Sequence, residues 1–419
     1  MKRRWRSGPG VASAAFLLAA ACGGAAPGEG GISAGQVSPP DAGRGLEAAS
    51  GGASCPRTPL AWTDGGAVML DPDGLSPDLL VPWTASPSGF ALHASVAADR
   101  CVQVDSLADS LGHVYVGAGD YGPFCTDCEQ RSSAAVGSGL FVFPSNGRAF
   151  TPQGPLHLRL SLRDCATFGS VTPGARDAGV AGAAPQSVRA EILTLPPARV
   201  SGHVHLRFLI TPASVFHEPA AEGDARLTDV VAELNARLAS AHVTASISSI
   251  CRSPAGGAED AELHPGDFAS LAAVEAAFRD HCAPDDGHGI PVILAGCLML
   301  DDALAHRASE VRGFTTHIPG GFVENDGADG VFIKGRLCGT PIPTAMDWAA
   351  ASLGQLLAHE LGHYLGLYHS VESDGSADQL DDTDANNLMY YMSSLTTSAG
   401  LSPTQGAVIL RHPLVDDCP

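Results

Sequence analysis

AHELGHYLGLYHS, residues 358–370, brings His359, Glu360, His363, Gly366 and His369 together in one short run. Two readings compete for it. The histidines are either core groups satisfied by hydrogen bonds, or ligands gathered around a metal ion. His359 and His363 stand four residues apart, which on a helix places them about one turn apart on one face and within reach of a single ion. Neutral imidazole suits zinc, which takes nitrogen at about 2.0–2.1 Å. Glu360 lies one step round the helix, poorly placed as a ligand. It is well placed to take a proton from a zinc-bound water, whose pKa falls to about 7. Two histidines leave such an ion under-coordinated. A glycine at 366 can turn the chain in the left-handed region and swing His369 back as a third ligand. A fourth position then stays open for water and substrate, as a catalytic zinc requires.

The extended pattern H-E-x-x-H-x-x-G-x-x-H is more specific than its first five positions, because each added residue has a geometric task. It resembles the metzincin zinc metalloproteases. That resemblance implies a Met-turn beneath the metal, and Met389 fits, within Asn386-Asn387-Leu388-Met389-Tyr390-Tyr391. Tyr391 matches the position where astacins, serralysins and pappalysins carry a tyrosine that stabilises the oxyanion or touches the metal. LGLYH and Tyr391 look most like pappalysin-type enzymes, whereas Ser370 looks more like matrixins. LSPTQG (401–406), entering an apolar helix, resembles the end of pappalysin-like domains. The resemblance is sharp over 352–392 and loose over 199–419. Between the third histidine and the Met-turn, Glu372, Asp374, Asp378, Asp381, Asp382 and Asp384 form an acidic run. Pappalysin-like enzymes can hold calcium nearby, so Ca²⁺ is one expectation there and a solvated acidic loop the other.

The rest of the chain predicts a multidomain protein: an N-terminal all-β, sandwich-like domain followed by an α/β (α+β) metzincin-like protease domain. Over 55–198 the runs at 91–98, 112–118, 139–145 and 155–163 alternate with period two between turn residues and predict strands. From 199 onward the pattern is mixed. It predicts strands at 203–210, 243–250 and 289–300 and a short edge strand at 330–335. Helices are expected over 224–241, with Asp224 as cap, over 266–281, and from a Thr344/Asp347 capping box to Leu365. His203 and His205 share one face of a strand and are expected to face solvent.

Lys2, Arg3, Arg4 and Arg6 precede a short apolar segment ending in Ala19-Ala20-Ala21-Cys22, which reads as an export signal over 1–22. It ends either in a lipobox, with Cys22 lipidated, or in an ordinary secretory cleavage site. Residues 23–54 are Gly-, Ala-, Ser- and Pro-rich and predict a flexible tether. Ten further cysteines in an exported chain favour disulfides, and five fall in each half, so either one bridge crosses or two thiols stay free. The formal net charge of −21, with lysine only at Lys2 and Lys334, argues against nucleic acid as a partner. Membrane contact is expected only through a lipidated N-terminus. The function predicted is therefore a zinc endopeptidase in the bacterial envelope or outside the cell, acting on protein or peptide substrates. The alternative is a surface binding or adhesion protein working through its β domain, with a latent protease.

Overall fold

The computed structural model describes residues 20–21, 61–83, 88–97, 100–118, 128–165, 186–216, 221–253, 263, 274, 289–302, 307–321, 329–335, 338, 349–373, 375–392 and 400–417. Cys22, the tether, most of the expected 266–281 helix and the Thr344/Asp347 pair lie outside the described residues.

Two antiparallel sheets occupy the N-terminal half. Numbered in chain order, β2 (Thr63–Met69), β4 (Gly89–Ser95), β8 (Ser138–Phe143) and β10 (Ser187–Leu195) pair in the order β2-β10-β4-β8. The second sheet runs β3 (Leu79–Val81), β9 (Leu156–Arg163), β5 (Cys101–Asp109) and β6 (Val114–Val116), with β7 (Ala135–Val136) also on β5. Alternate side chains of each strand face inward. Phe90, Leu92 and Val188 from the first sheet therefore meet Val102, Leu158 and Leu160 from the second in one buried cluster. Each such side chain contributes about 1.5–3 kcal/mol by leaving water. Cys101 and Cys165 are joined by a disulfide within this half. All four expected strands are present, and β2, β3, β5, β7 and β10 join them.

The C-terminal half is a mixed sheet covered by helices. Its strands are β11 (Gly202–Ile210), β12 (Val243–Arg252), β13 (Gly289–Ala295), β16 (Gly313–Thr315) and β17 (Val331–Lys334). The order is β12-β11-β13-β17-β16, and a two-residue strand β1 (Ala20–Ala21) lies outside β16. β12, β11, β13 and β17 run parallel, and β16 is antiparallel to β17. Parallel neighbours need a crossover, and helix α1 (Ala221–Leu238) supplies it between β11 and β12. Along α1 the apolar stripe Leu227, Val230, Val231, Leu234 and Leu238 is buried against the sheet and helix α2 (Ala350–Tyr364). A second disulfide joins Cys297 to Cys338, and Cys128 and Cys251 are also disulfide-bonded. These bridges are consistent with an exported protein. Among the described residues no helix is long and apolar enough to cross a membrane.

Several expectations need correction. The 330–335 segment is not an edge strand. β17 lies between β13 and β16 with all four residues buried, because the very short β16 pairs along its other side. The 289–300 run is not one strand either. It breaks after Ala295, and β14 (Met299–Asp302) pairs separately with β15 (Arg307–Glu310). Helix α2 starts at Ala350 with Ala349 as its N-cap and no side-chain cap bond, so the Thr344/Asp347 box does not start it. Packing holds this helix instead, since its residues from Leu353 onward are buried. Asp224 lies inside the first turn of α1 rather than before it. His203 does not face solvent. Its ring is buried between Thr244 Oγ1 and Ser246 Oγ, both at 2.8 Å, because the C-terminal segment bridges to it at Asp416. His205 packs edge-on against His203 and lies 3.5 Å from Asp416 Oδ2.

Candidate metal centre

Helix α2 delivers three of the expected residues and its C-terminus delivers the fourth. His359, Glu360 and His363 are each fully buried on it. After the C-cap Leu365, Gly366 takes φ +103°. Gly366 N–H donates to His363 O and Leu367 N–H to Gly362 O, each at 2.9 Å. These two bonds make a Schellman stop, which needs a left-handed residue and so favours glycine. The reversal returns the chain over the helix, and His369 arrives beside the other two. Its ring centroid is 5.4 Å from that of His359 and 4.7 Å from that of His363.

Hydrogen bonding at the far side of each ring fixes what faces the centre. His359 Nδ1 lies 2.8 Å from Leu388 O, and His363 Nδ1 lies 2.7 Å from Leu367 O. A carbonyl oxygen only accepts, so each Nδ1 must carry the proton and each Nε2 must present a lone pair. His369 Nδ1 is held 2.7 Å from Glu372 Oε2, which leaves its Nε2 as the inward atom. That Nε2 is buried and has no hydrogen-bond partner. The Nε2 atoms of His359 and His363 face each other at 3.1 Å. Two acceptor lone pairs at that distance repel unless a cation lies between them. Tetrahedral zinc with ligands at about 2.0–2.1 Å would set its nitrogens about 3.3–3.4 Å apart. Among the described residues, these three histidines are the group of His, Cys, Asp or Glu side chains that could hold an ion. Burial, then the neighbouring His369, pushes His359 down to about 3, and burial pushes His363 well below its usual value. Both rings are therefore neutral at pH 7, as ligation requires. The donor set fits a divalent ion that prefers nitrogen.

Glu360 projects from helix α2 toward strand β16. The Thr315 hydroxyl of β16 lies 2.8 Å from Glu360 O and 3.0 Å from Glu360 Oε2. Gly313 of the same strand has no side chain to obstruct the carboxylate. A methyl group there would lie 2.6 Å from Glu360 Oε1.

Met389 is fully buried beneath the helix, and its sulfur takes the space beside Gly362. Its N–H donates to Asn387 Oδ1 at 2.8 Å, and its carbonyl accepts from Ser370 N–H at 2.9 Å. Asn387 and Gln405 exchange two amide bonds of 3.0 Å. Gln405 belongs to helix α3 (Pro403–Ile409), which Ser402 opens with a capping box. The C-terminal helix expected after LSPTQG thus locks the turn under the histidines. Tyr391 N–H donates to Val371 O at 3.3 Å, placing its backbone beside the third histidine. Its ring packs edge-on against that of Tyr390, with centroids 4.8 Å apart.

The acidic run does not converge on a cation site among the described residues. Glu372 is used by His369. Asp378 accepts from Leu380 N–H and Thr383 Oγ1, and Asp382 accepts from Ser402 Oγ and Thr404 N–H. Asp374 lies outside the described residues. Sequence reasoning missed Thr315, Gly313, Leu388 O, Leu367 O and the service of Glu372 to His369. Only Glu372 left a signal, three residues beyond the histidine it holds.

No protein-family model matches the chain, and no curated protein matches it. Among solved structures it is similar to metalloproteinase-II from Bacteroides fragilis, at 14% identity and a TM-score of 0.31, over 53% of this chain and 62% of that one. It is also similar to a structure of a chaperone–substrate complex, at 12% identity and a TM-score of 0.26, over 51% of this chain and 34% of that one. The chain spans less than two thirds of either. Likenesses of this size carry no argument, and the functional case rests on the residues of the site.

Proposed function

We propose that the chain is an exported zinc-dependent endopeptidase. Its first β-rich half, 55–198, would be an accessory domain of sandwich type and 199–419 a metzincin-like protease domain. The observation that carries the reading is the orientation of three buried imidazoles, with every Nδ1 tied down and every Nε2 turned to one point.

His359, His363 and His369 would hold the ion. Bound there, zinc supplies Lewis acidity, polarising a peptide carbonyl and making water acidic at neutral pH. Glu360 accepts the proton of the attacking water at its carboxylate and returns it to the leaving amine nitrogen. Thr315 orients that carboxylate through Oε2. Met389 and Leu388 keep water away from the underside of the imidazoles and hold His359 in one tautomer. Tyr391 would donate its hydroxyl to the developing oxyanion. Cys22 would carry the lipid that tethers the enzyme to the envelope.

Purified protein should cleave a labelled, denatured protein substrate, lose that activity to a zinc chelator and regain it on adding zinc. Cleavage that survives full removal of metal would refute the reading.

A further inference from the structure

We infer that Arg131, which lies between β6 and β7 in the β-rich half, is a positioning residue for the metal site. This rests on the reading that the three histidines hold a metal ion. The chain of contacts is short. His369 Nδ1 is 2.7 Å from Glu372 Oε2, and Glu372 Oε1 is 3.4 Å from Arg131 Nη2. The guanidinium also lies over the ring of Tyr368, the residue before His369, at 4.5 Å from its centroid. Arg131 is 4% exposed, so water does not substitute for it.

The arrangement has a physical purpose. Of the three imidazoles, His359 and His363 are anchored by backbone carbonyls, which the fold itself fixes. His369 is anchored by a side chain, and a carboxylate three bonds from its own backbone rotates unless its second oxygen is held. Arg131 holds that oxygen through a charge-assisted contact, so the carboxylate is fixed at both ends. An outer partner that fixes a ligand histidine in this way governs ring orientation and ligand strength. The β-rich half thus completes the metal site from outside the sheet and helices that carry the histidines. Gln379 Nε2 bonds Cys128 O and Ser133 Oγ donates to Ile318 O at 2.5 Å, so the loop carrying Arg131 is tied down on both sides.

The test uses the full chain and reads zinc affinity by chelator competition, together with the absorption spectrum of the cobalt-substituted protein. Arg131→Gln should weaken zinc binding about 10–100-fold and shift the cobalt bands. Arg131→Lys should recover part of the loss. The control is Arg411→Gln, because Arg411 also crosses between the halves, donating to Pro144 O and Asn146 O, and neither bond involves Glu372 or Arg131. It should lower stability and leave zinc affinity unchanged. Affinity unchanged in Arg131→Gln, or lost equally in Arg411→Gln, overturns the inference. If Arg131→Gln fails to fold, Glu372→Gln with and without Arg131→Lys decides. Non-additive losses support the relay, and additive losses overturn it. A wild-type chain that binds no divalent metal would refute the reading of the site itself.

Discussion

Gly362 packs directly on the sulfur of Met389: a methyl group at Gly362 would lie 2.6 Å from Met389 Sδ. Gly362 is the residue before His363, and Met389 follows Leu388, whose carbonyl holds His359. The contact therefore sets the height of the helix above its floor. Gly362→Ala should overpack this layer and cost about 1–3 kcal/mol of stability, read by thermal or denaturant unfolding. Met389→Ala should cost about 2–5 kcal/mol by opening a cavity in the same place. Unchanged unfolding in both variants would contradict the account of Met389 as the floor of the site.

Gly366 stands at φ +103°, where an L side chain is strained. Gly366→Ala should cost about 1–3 kcal/mol. Because the same residue returns the chain to His369, zinc affinity should fall as well. A variant that loses stability and keeps wild-type metal affinity would show that the turn does not position the third histidine.

Gly313 lies against the Glu360 carboxylate, and a methyl group there would stand 2.6 Å from Oε1 and 2.7 Å from Cγ. Gly313→Ala should displace the carboxylate and lower kcat/KM by about 100-fold, the scale of a misplacement near 1 Å. The three atoms nearest such a methyl group all belong to Glu360, so bound zinc measured by atomic absorption should not change.

His412 predicts an acid limit that does not involve the metal ligands. Burial lowers its pKa to about 4, and its Nδ1 accepts from Leu414 N–H at 3.2 Å. The unfolded chain takes up a proton near pH 6.5, its ordinary value, whereas the folded chain resists until about pH 4. Stability from this group is thus complete above about pH 6.5 and is lost as pH falls toward 4. His412→Gln should take up one proton fewer on unfolding in that window, read from the slope of unfolding free energy against pH. An unchanged slope would count against the buried neutral imidazole.

The candidate metal site was legible because its spacing is helical and local. Period 3.6 alone aligns His359 with His363, and one glycine accounts for the return of His369. The partners of these residues were not legible, because they are backbone carbonyls or arrive from distant strands. Leu388 O and Leu367 O carry no side-chain signature. Thr315 and Gly313 belong to β16, three residues long and too short to show a period. Glu372 was read within an acidic run, and only its contact with His369 separates it from its neighbours. The β-rich half showed its alternating strands, while the burial of His203 depends on a C-terminal segment more than two hundred residues away, which no local pattern reports.

The central claim is that Glu360 moves the proton while the three histidines hold the ion. Glu360→Ala tests it most directly, with zinc content and cleavage of a denatured protein substrate measured on one preparation. The account predicts zinc bound as in the wild type and turnover reduced by about 100- to 10,000-fold. Full zinc with undiminished cleavage would contradict it.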